Sequence, residues 1–353
     1  MKRLFTGFLI GSMLSAAGIC YGQDRSSFEL LTEKYSLRPL TLYKGHLQVN
    51  SGYQLSVLNK EFTSDGSQLD LSTTGTAAVK HLVPVSIGFG LLEYLQFTAS
   101  IDYGKSGIRS MNRTVFGYED FLEINEVNEY YGLTDMYLGL HLRSPRILNL
   151  LELSASGGLS VPVSGAKSKE PDHSYLGAGS VAILNYKYFH KLNSGVKSAV
   201  FGGNLKVLSP KLSLEGNYSL RLGMEEGEGL VWSSELSDDD FSYTSSSYNY
   251  STGQSYLIQG SIAWQTLDWL SIRIYASDIS HINRWSEEQE VKIAVPDENI
   301  FSAGLGYEIQ VAPSLRLVQQ VQLPLSGKNA RASFAFLTGL SFSIISESYR
   351  NAF

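Results

Sequence analysis

The chain has 353 residues, 43% of them hydrophobic and only 18% charged, with a net charge of −6. No basic surface therefore invites nucleic acid or anionic lipid headgroups. One cysteine, Cys20, leaves nothing to pair with, so stability has to come from burial or from closure of a sheet.

Met1-Lys2-Arg3 precedes an apolar run from Leu4 to Ile19, with small residues at Ala16, Ala17 and Gly18. These are the charged, greasy and cleavable parts of a secretory signal. Cys20 and Gly22 are small residues where a signal peptidase inspects, so the expected cut follows Gly22 and leaves Gln23 first. A lipoprotein reading of Cys20 is disfavoured by Ile19, because acylation motifs place a small residue directly before the cysteine. Residues 23–44 are too irregular to be a crossing. Two fates are open for them, a plug inside a lumen or a periplasmic tail. Pro39 favours an extended lead into the first strand.

From residue 45 onward the chain alternates. Side chains on a strand point to opposite faces in turn, so alternation of apolar and polar residues makes a ribbon with one greasy face. Leu95, Phe97, Ala99, Ile101 and Tyr103 face one way, against Gln96, Thr98, Ser100 and Asp102. The same pattern runs over 47–57, 79–91, 136–142, 151–161, 212–222, 256–264, 270–276, 301–309, 315–323 and 334–344, with Gln319 on the wrong face. Each ribbon is near the ~9–11 residues of a tilted transmembrane strand, and no later stretch offers the ~18 apolar residues of a spanning helix.

Alternation alone does not separate a membrane barrel from a soluble sandwich. Loop parity does. Short links at 92–94, 144–149, 209–211, 266–268 and 311–314 alternate with long polar segments at 59–77, 104–132, 164–176, 225–253 and 277–298. Tight periplasmic turns and long outer loops are the habit of an outer-membrane barrel. Trp264, Trp269 and Tyr94 sit at short turns, where an interfacial girdle places aromatic rings. Between the strand ending near Val163 and the one starting at Leu212 parity requires an odd number of crossings, yet both 181–189 and 200–208 are candidates. The expected fold is all-β: one closed antiparallel transmembrane β-barrel of about 12 strands, with 14 as the alternative. The expected layout is a signal at 1–22, a periplasmic or plug segment at 23–44, the barrel at 45–345 and a tail at 346–353.

Several segments resemble one family. Arg38-Pro39 with Lys44-Gly45-His46-Leu47-Gln48-Val49-Asn50-Ser51-Gly52-Tyr53 is similar to the opening of bacterial outer-membrane transporter-like proteins assigned to the meta-cleavage pathway of phenol degradation. Tyr131-Gly132-Leu133-Thr134-Asp135-Met136 resembles that family's Gly-x-x-Asp strand start, and Val161-Pro162-Val163-Ser164-Gly165 its Leu-Pro-Thr-Gly strand end, with Ser164 replacing Thr. Leu176-Gly177-Ala178-Gly179-Ser180 resembles its Gly-x-Gly-Ser return. Val321-Gln322-Leu323-Pro324-Leu325-Ser326-Gly327 and Thr338-Gly339-Leu340-Ser341-Phe342 resemble its last hairpin. The resemblance implies a barrel that passes small molecules and supplies no catalytic residue.

The polar faces carry Asp102, Arg143, Glu152, Glu215, Asn217, Arg221, Arg273, Glu308 and Arg316, all inward by parity. Charges in so narrow a lumen have to be paired or hydrated. They serve either as an electrostatic lining that selects a solute or as a packed network that fills the barrel. The loop over 225–253 holds Glu225, Glu226, Glu228, Glu235, Asp238, Asp239 and Asp240 without Lys or Arg. It reads as a solvated, mobile acidic loop, with divalent cations shared with lipopolysaccharide as the sharper alternative. Hydrolysis has little support. Outer-membrane lipid hydrolases resemble one another by a His-x-Ser pair, and none of the six histidines has a serine two residues on. Asp172-His173 in an outer loop is ordinary loop polarity.

The expected function is passive passage of small, aromatic or amphipathic molecules across the bacterial outer membrane; the alternative is a structural or assembly barrel with a filled lumen and partner-binding loops. The expected partners are outer-membrane lipids and lipopolysaccharide, a small-molecule solute and, during insertion, the barrel-assembly machinery. No cofactor, metal or nucleic acid is expected.

Overall fold

A computed structural model describes residues 26–70, 77–109, 127–163, 167–168, 194–237, 240–288 and 291–351. The expected export signal at 1–22 and the candidate strand over 181–189 lie outside the described residues.

Twelve antiparallel strands close on themselves. The first six are β1 (His46–Phe62), β2 (Ala77–Leu92), β3 (Leu95–Arg109), β4 (Asp135–Arg143), β5 (Leu151–Pro162) and β6 (Ser198–Leu208). The last six are β7 (Leu212–Gly223), β8 (Gln254–Leu267), β9 (Leu270–Ile282), β10 (Glu298–Ala312), β11 (Leu315–Lys328) and β12 (Ala330–Ile345). Each pairs with the next, and β12 returns to β1 in a ladder from His46↔Ile345 to Phe62↔Ala330. Closure leaves no strand edge, which satisfies every ladder within the sheet and suits hydrocarbon. Among the described residues no helix is long and apolar enough to cross a membrane.

Parity resolves the uncertain region. Among the described residues a single barrel-crossing strand, β6, lies between β5 and β7 and pairs with both; the two-residue strand Lys167–Ser168 pairs instead with Val127–Leu133. β1 has 17 residues, more than a tilted crossing needs, so its outer part projects past the hydrocarbon. Above the barrel, Gly227–Ser237, Asp240–Ser251, Arg284–Glu288 and Val291–Val295 form a separate four-stranded ladder. The segment expected as a mobile acidic loop is therefore a regular hairpin, with Gly227 opposite Tyr250 and Ser237 opposite Asp240. Ser and Tyr make up most of its second strand from Ser242 to Tyr250, so no clean apolar-polar alternation marks that strand. The last outer connection is also shorter than expected: β11 and β12 run on to a tight turn at Asn329, whose φ is +50°.

The two faces separate as the period requires. On β7 the even residues Leu212, Leu214 and Tyr218 are exposed to the outside, while Ser213 is buried on the inner side. On β4, Leu138, Leu140 and Leu142 are exposed and Arg143 is only 5% exposed. Gln319, on the outward face, is not stranded: the Tyr307 hydroxyl donates to its Oε1, and its Nε2 donates to Thr338 Oγ1 at 3.4 Å. Three neighbouring strands thus satisfy one misplaced amide among themselves.

At the closing seam Gly52 of β1 faces Gly339 of β12. A Cβ on Gly52 would lie 2.5 Å from the Thr338 carbonyl oxygen and 2.9 Å from Gly339 Cα. Gly52→Val is expected to cost ~1–3 kcal/mol as overpacking, read as a lower urea midpoint for refolding into detergent. Gly216→Val, whose Cβ would meet nothing within 4 Å, is the control and should leave the midpoint within ~0.5 kcal/mol.

Candidate functional site

The N-terminal segment enters the barrel at the end that carries the short turns. It begins with α1 (Ser27–Leu31), whose capping box pairs the Ser26 side chain with the Glu29 N–H and the Glu29 carboxylate with the Ser26 N–H. These reciprocal bonds satisfy two donors that a short helix leaves open. A single 3-10 turn, Tyr35–Leu37, follows, then an extended run through Pro39 that turns at Gly45 (φ +74°) into β1. Gly45 N–H donates to the Gly90 carbonyl at 2.8 Å. Gly90 has to be a glycine, since a Cβ there would overlap the Tyr43 carbonyl.

The segment is fastened to the wall from β3 round to β11. Leu42 N–H donates to Gln96 Oε1 (2.8 Å) and Leu40 N–H to Glu152 Oε2 (2.9 Å). Arg143 Nε donates to Thr41 Oγ1 (3.1 Å), and Arg146 Nη2 to the Leu37 carbonyl (2.6 Å). On the far side Arg316 Nη2 and Gln310 Nε2 both donate to the Leu31 carbonyl, at 2.9 and 3.0 Å. Arg38 is ion-paired with Glu308.

Tyr35 is the centre of this arrangement. Its hydroxyl donates to Glu215 Oε2 (3.0 Å) and accepts from Arg273 Nη1 (3.2 Å). Lys206 Nζ reaches the Tyr35 carbonyl (3.0 Å) and Glu215 Oε1 (2.8 Å), and lies 4.6 Å from the ring centroid. The Arg38 and Arg273 guanidinium carbons lie 5.6 and 6.0 Å from the same centroid. A ring surrounded by cations is held by its quadrupole, worth up to ~2 kcal/mol per contact when desolvated. Burial, and then the Glu215 charge, push the Tyr35 hydroxyl above the ordinary phenol value, so it remains a donor. Beside the ring, a cavity of about 220 Å³ is bounded by Ser271, Arg273, Glu308, Val318 and Gln320. Its size is below the ~300–1,000 Å³ of drug-sized ligand clefts, and the Tyr35 ring forms one of its walls.

Of the nine polar residues singled out by parity, six meet at this end: Arg143, Glu152, Glu215, Arg273, Glu308 and Arg316. Glu152 is fully buried and receives Arg146 Nε at 2.7 Å and Arg143 Nη1 at 3.2 Å. Arg316 lies 3.8 Å from Glu308. Arg221 and Asp102 sit nearer the long loops. Arg221 pairs with Asp135 and donates to Ser194 Oγ at 2.9 Å; Tyr250 donates to the Ser194 carbonyl at 2.6 Å. Asp102 has Lys80 as its charged neighbour, and its N–H donates to Thr134 Oγ1 at 3.0 Å. Asn217 lies between the two groups, in register with Asn204 and Gln259.

Parity missed Lys206, Arg146, Lys80 and Asp135. Lys206, 4% exposed, stands on the strand whose assignment was ambiguous, and Arg146 stands in a turn, where alternation says nothing. A search for His-x-Ser also missed a contact across strands: Ser255 Oγ lies 2.6 Å from His281 Nδ1. The charged neighbours of His281 are Arg284 and Arg221, and Glu298, opposite it in register, is ion-paired with Arg284 at 2.9 Å. Removing one member of a buried ion pair strands its partners. Glu152→Ala is therefore expected to destabilise the folded barrel by ~3–5 kcal/mol, measured by urea titration in detergent, with Glu152→Gln intermediate.

No protein-family model and no curated protein sequence matches the chain. The resemblance to the meta-cleavage family therefore rests on its short motifs alone. Solved structures do match. The COG4313 outer membrane channel from Pseudomonas putida F1 superposes with a TM-score of 0.59 at 11% identity, over 86% of this chain and 97% of that one. The Pseudomonas putida toluene transporter TodX matches more loosely, with a TM-score of 0.47 at 12% identity, over 91% of this chain and 94% of that one. The fold is that of an outer-membrane β-barrel.

Proposed function

We propose that the chain is an outer-membrane channel for passive passage of small molecules, held shut at its periplasmic end by its own N-terminal segment. The observation that carries this reading is the seat of Tyr35. The wall offers one aromatic ring a carboxylate, a guanidinium and an ammonium, all on barrel strands. A solute with an aromatic body and a polar edge finds the same groups once the segment shifts. Charge pairs from wall to segment, such as Glu308 with Arg38, leave fewer lumen charges unpaired in the closed state. They also make opening an exchange of partners rather than exposure of bare charge, which keeps its cost moderate.

The rival is a structural or assembly barrel whose lumen stays filled, and the depth to which the segment is fastened speaks for it. Single-channel recording in planar bilayers separates the two. Wild-type protein should be rarely open, and Tyr35→Ala with Arg38→Ala should raise steady conductance at least several-fold, because each lost seat contact is worth ~1 kcal/mol or more. In that opened variant Glu215→Lys should shift ion preference toward anions. A folded barrel that stays silent in both forms overturns the channel and leaves the structural reading.

A further inference from the structure

The outward wall of β4 to β8 carries a groove of about 530 Å³. Its floor is Ala155, Gly203 and Gly216, and its sides are Leu142, Leu205, Tyr218 and Ile258, all on the lipid-facing parity and all four side-wall residues exposed. The alternate residues turn inward and are occupied there, as with Asn204, whose Nδ2 donates to Ser154 Oγ at 2.8 Å.

Nothing inside the chain explains the floor. Gly52 and Gly90 are required by neighbouring backbone, but a Cβ on Gly216, or on Gly260 opposite it in register, meets nothing within 4 Å. On Gly203 the nearest atom would be the Ser154 carbonyl oxygen at 3.8 Å, an ordinary contact. Glycine in a strand interior costs conformational entropy and contributes no packing. Three of them beside a groove, each with room for a side chain, keep open a space that the barrel itself does not fill.

The chemistry of the occupant follows from place, size and charge. The groove opens onto the face that meets hydrocarbon, and the exposed outward side chains along it are aliphatic apart from Tyr218. Its volume lies in the ~300–1,000 Å³ range of single-ligand clefts, and it presents far fewer side chains than the ~20–30 per partner of a stable protein interface. It sits toward the short-turn end. Gly216 is five residues along β7 from Lys211, about 16 Å along the strand at ~3.3 Å per residue and so about 12 Å in depth at a tilt of ~40°, within the ~15 Å half-thickness of the hydrocarbon core. Lys211 is exposed in the turn joining β6 to β7, at the short-turn end of the strand that carries Gly216. We propose that the groove seats one acyl chain of a phospholipid from the periplasmic leaflet, with its phosphate against Lys211.

Native mass spectrometry of the full chain in detergent doped with dioleoylphosphatidylethanolamine tests this. One phospholipid per barrel should survive release from the micelle. Gly203→Leu with Gly216→Leu should cut the retained fraction about tenfold by filling the groove, while Ala303→Leu, on the lipid-facing side of β10, should leave it unchanged. Lys211→Glu, in an exposed turn, should also lower retention and carries the test if the double variant does not give the heat-modifiable gel band of a folded barrel. Equal retention in the variants and the wild type overturns the proposal. So does a wild-type mass of two chains that falls to one when the groove is filled, which would make the surface an interface between copies. The gel band checks separately the bilayer placement on which the proposal rests.

Discussion

Closure of β12 onto β1 is the constraint from which the rest of the molecule follows. In hydrocarbon an unpaired amide or carbonyl costs several kcal/mol, so an open twelve-stranded sheet could not stay there. Once the ladder from His46↔Ile345 to Phe62↔Ala330 forms, each strand has one face toward lipid and one toward a narrow interior. The alternation in the sequence is the imprint of that division. Even the exceptions obey it, because Gln319 is tolerated outside only with Tyr307 and Thr338 as partners.

The same closure creates a problem inside. Twelve strands enclose too little water to hydrate a dozen charges singly, so each needs a partner within reach. Some partners come from the wall, as Arg143 and Arg146 do for Glu152. Others come from residues 31–42, whose backbone carbonyls and N–H groups are themselves in want of partners. Leu31 and Leu37 supply acceptors to arginines, and Leu40 supplies a donor to Glu152. Wall and segment are each incomplete alone, which is the physical reason that an aperiodic stretch takes one defined path.

Most strands were legible because period-2 alternation is enforced wherever one face meets lipid, as from Leu212 to Leu222. β6 was ambiguous for a local reason: Val200 and Phe201 are both apolar, Gly202 and Gly203 carry no signal, and Leu208 turns inward against the rule. The hairpin over Gly227–Ser251 escapes the search for alternation because its second strand is mostly Ser and Tyr, which give little contrast between faces, and acidic residues are scattered along both strands. The path of the N-terminal segment was not legible at all. Its partners lie as far away as Arg316, and nothing in Tyr35-Ser36-Leu37-Arg38 marks it as complementary to Lys206, Glu215 and Arg273. Pairing across a closed lumen leaves no periodicity behind.

Lining and filler, the two roles open to the inward charges, differ only in where the N-terminal segment is. With Tyr35 seated, Glu215 and Arg273 are parts of a packed network, joined through its hydroxyl. Move the ring away, and Glu215 still has Lys206 at 2.8 Å, so the wall does not collapse into unpaired charge. What is lost is the hydroxyl between carboxylate and guanidinium, together with an aromatic surface beside the Lys206 ammonium and the Arg273 guanidinium. Those vacancies can be filled by water or by another ring, whichever binds better. A barrel that pairs its charges mainly along the wall, and uses a tethered aromatic for the remainder, can therefore be filled and still be a channel.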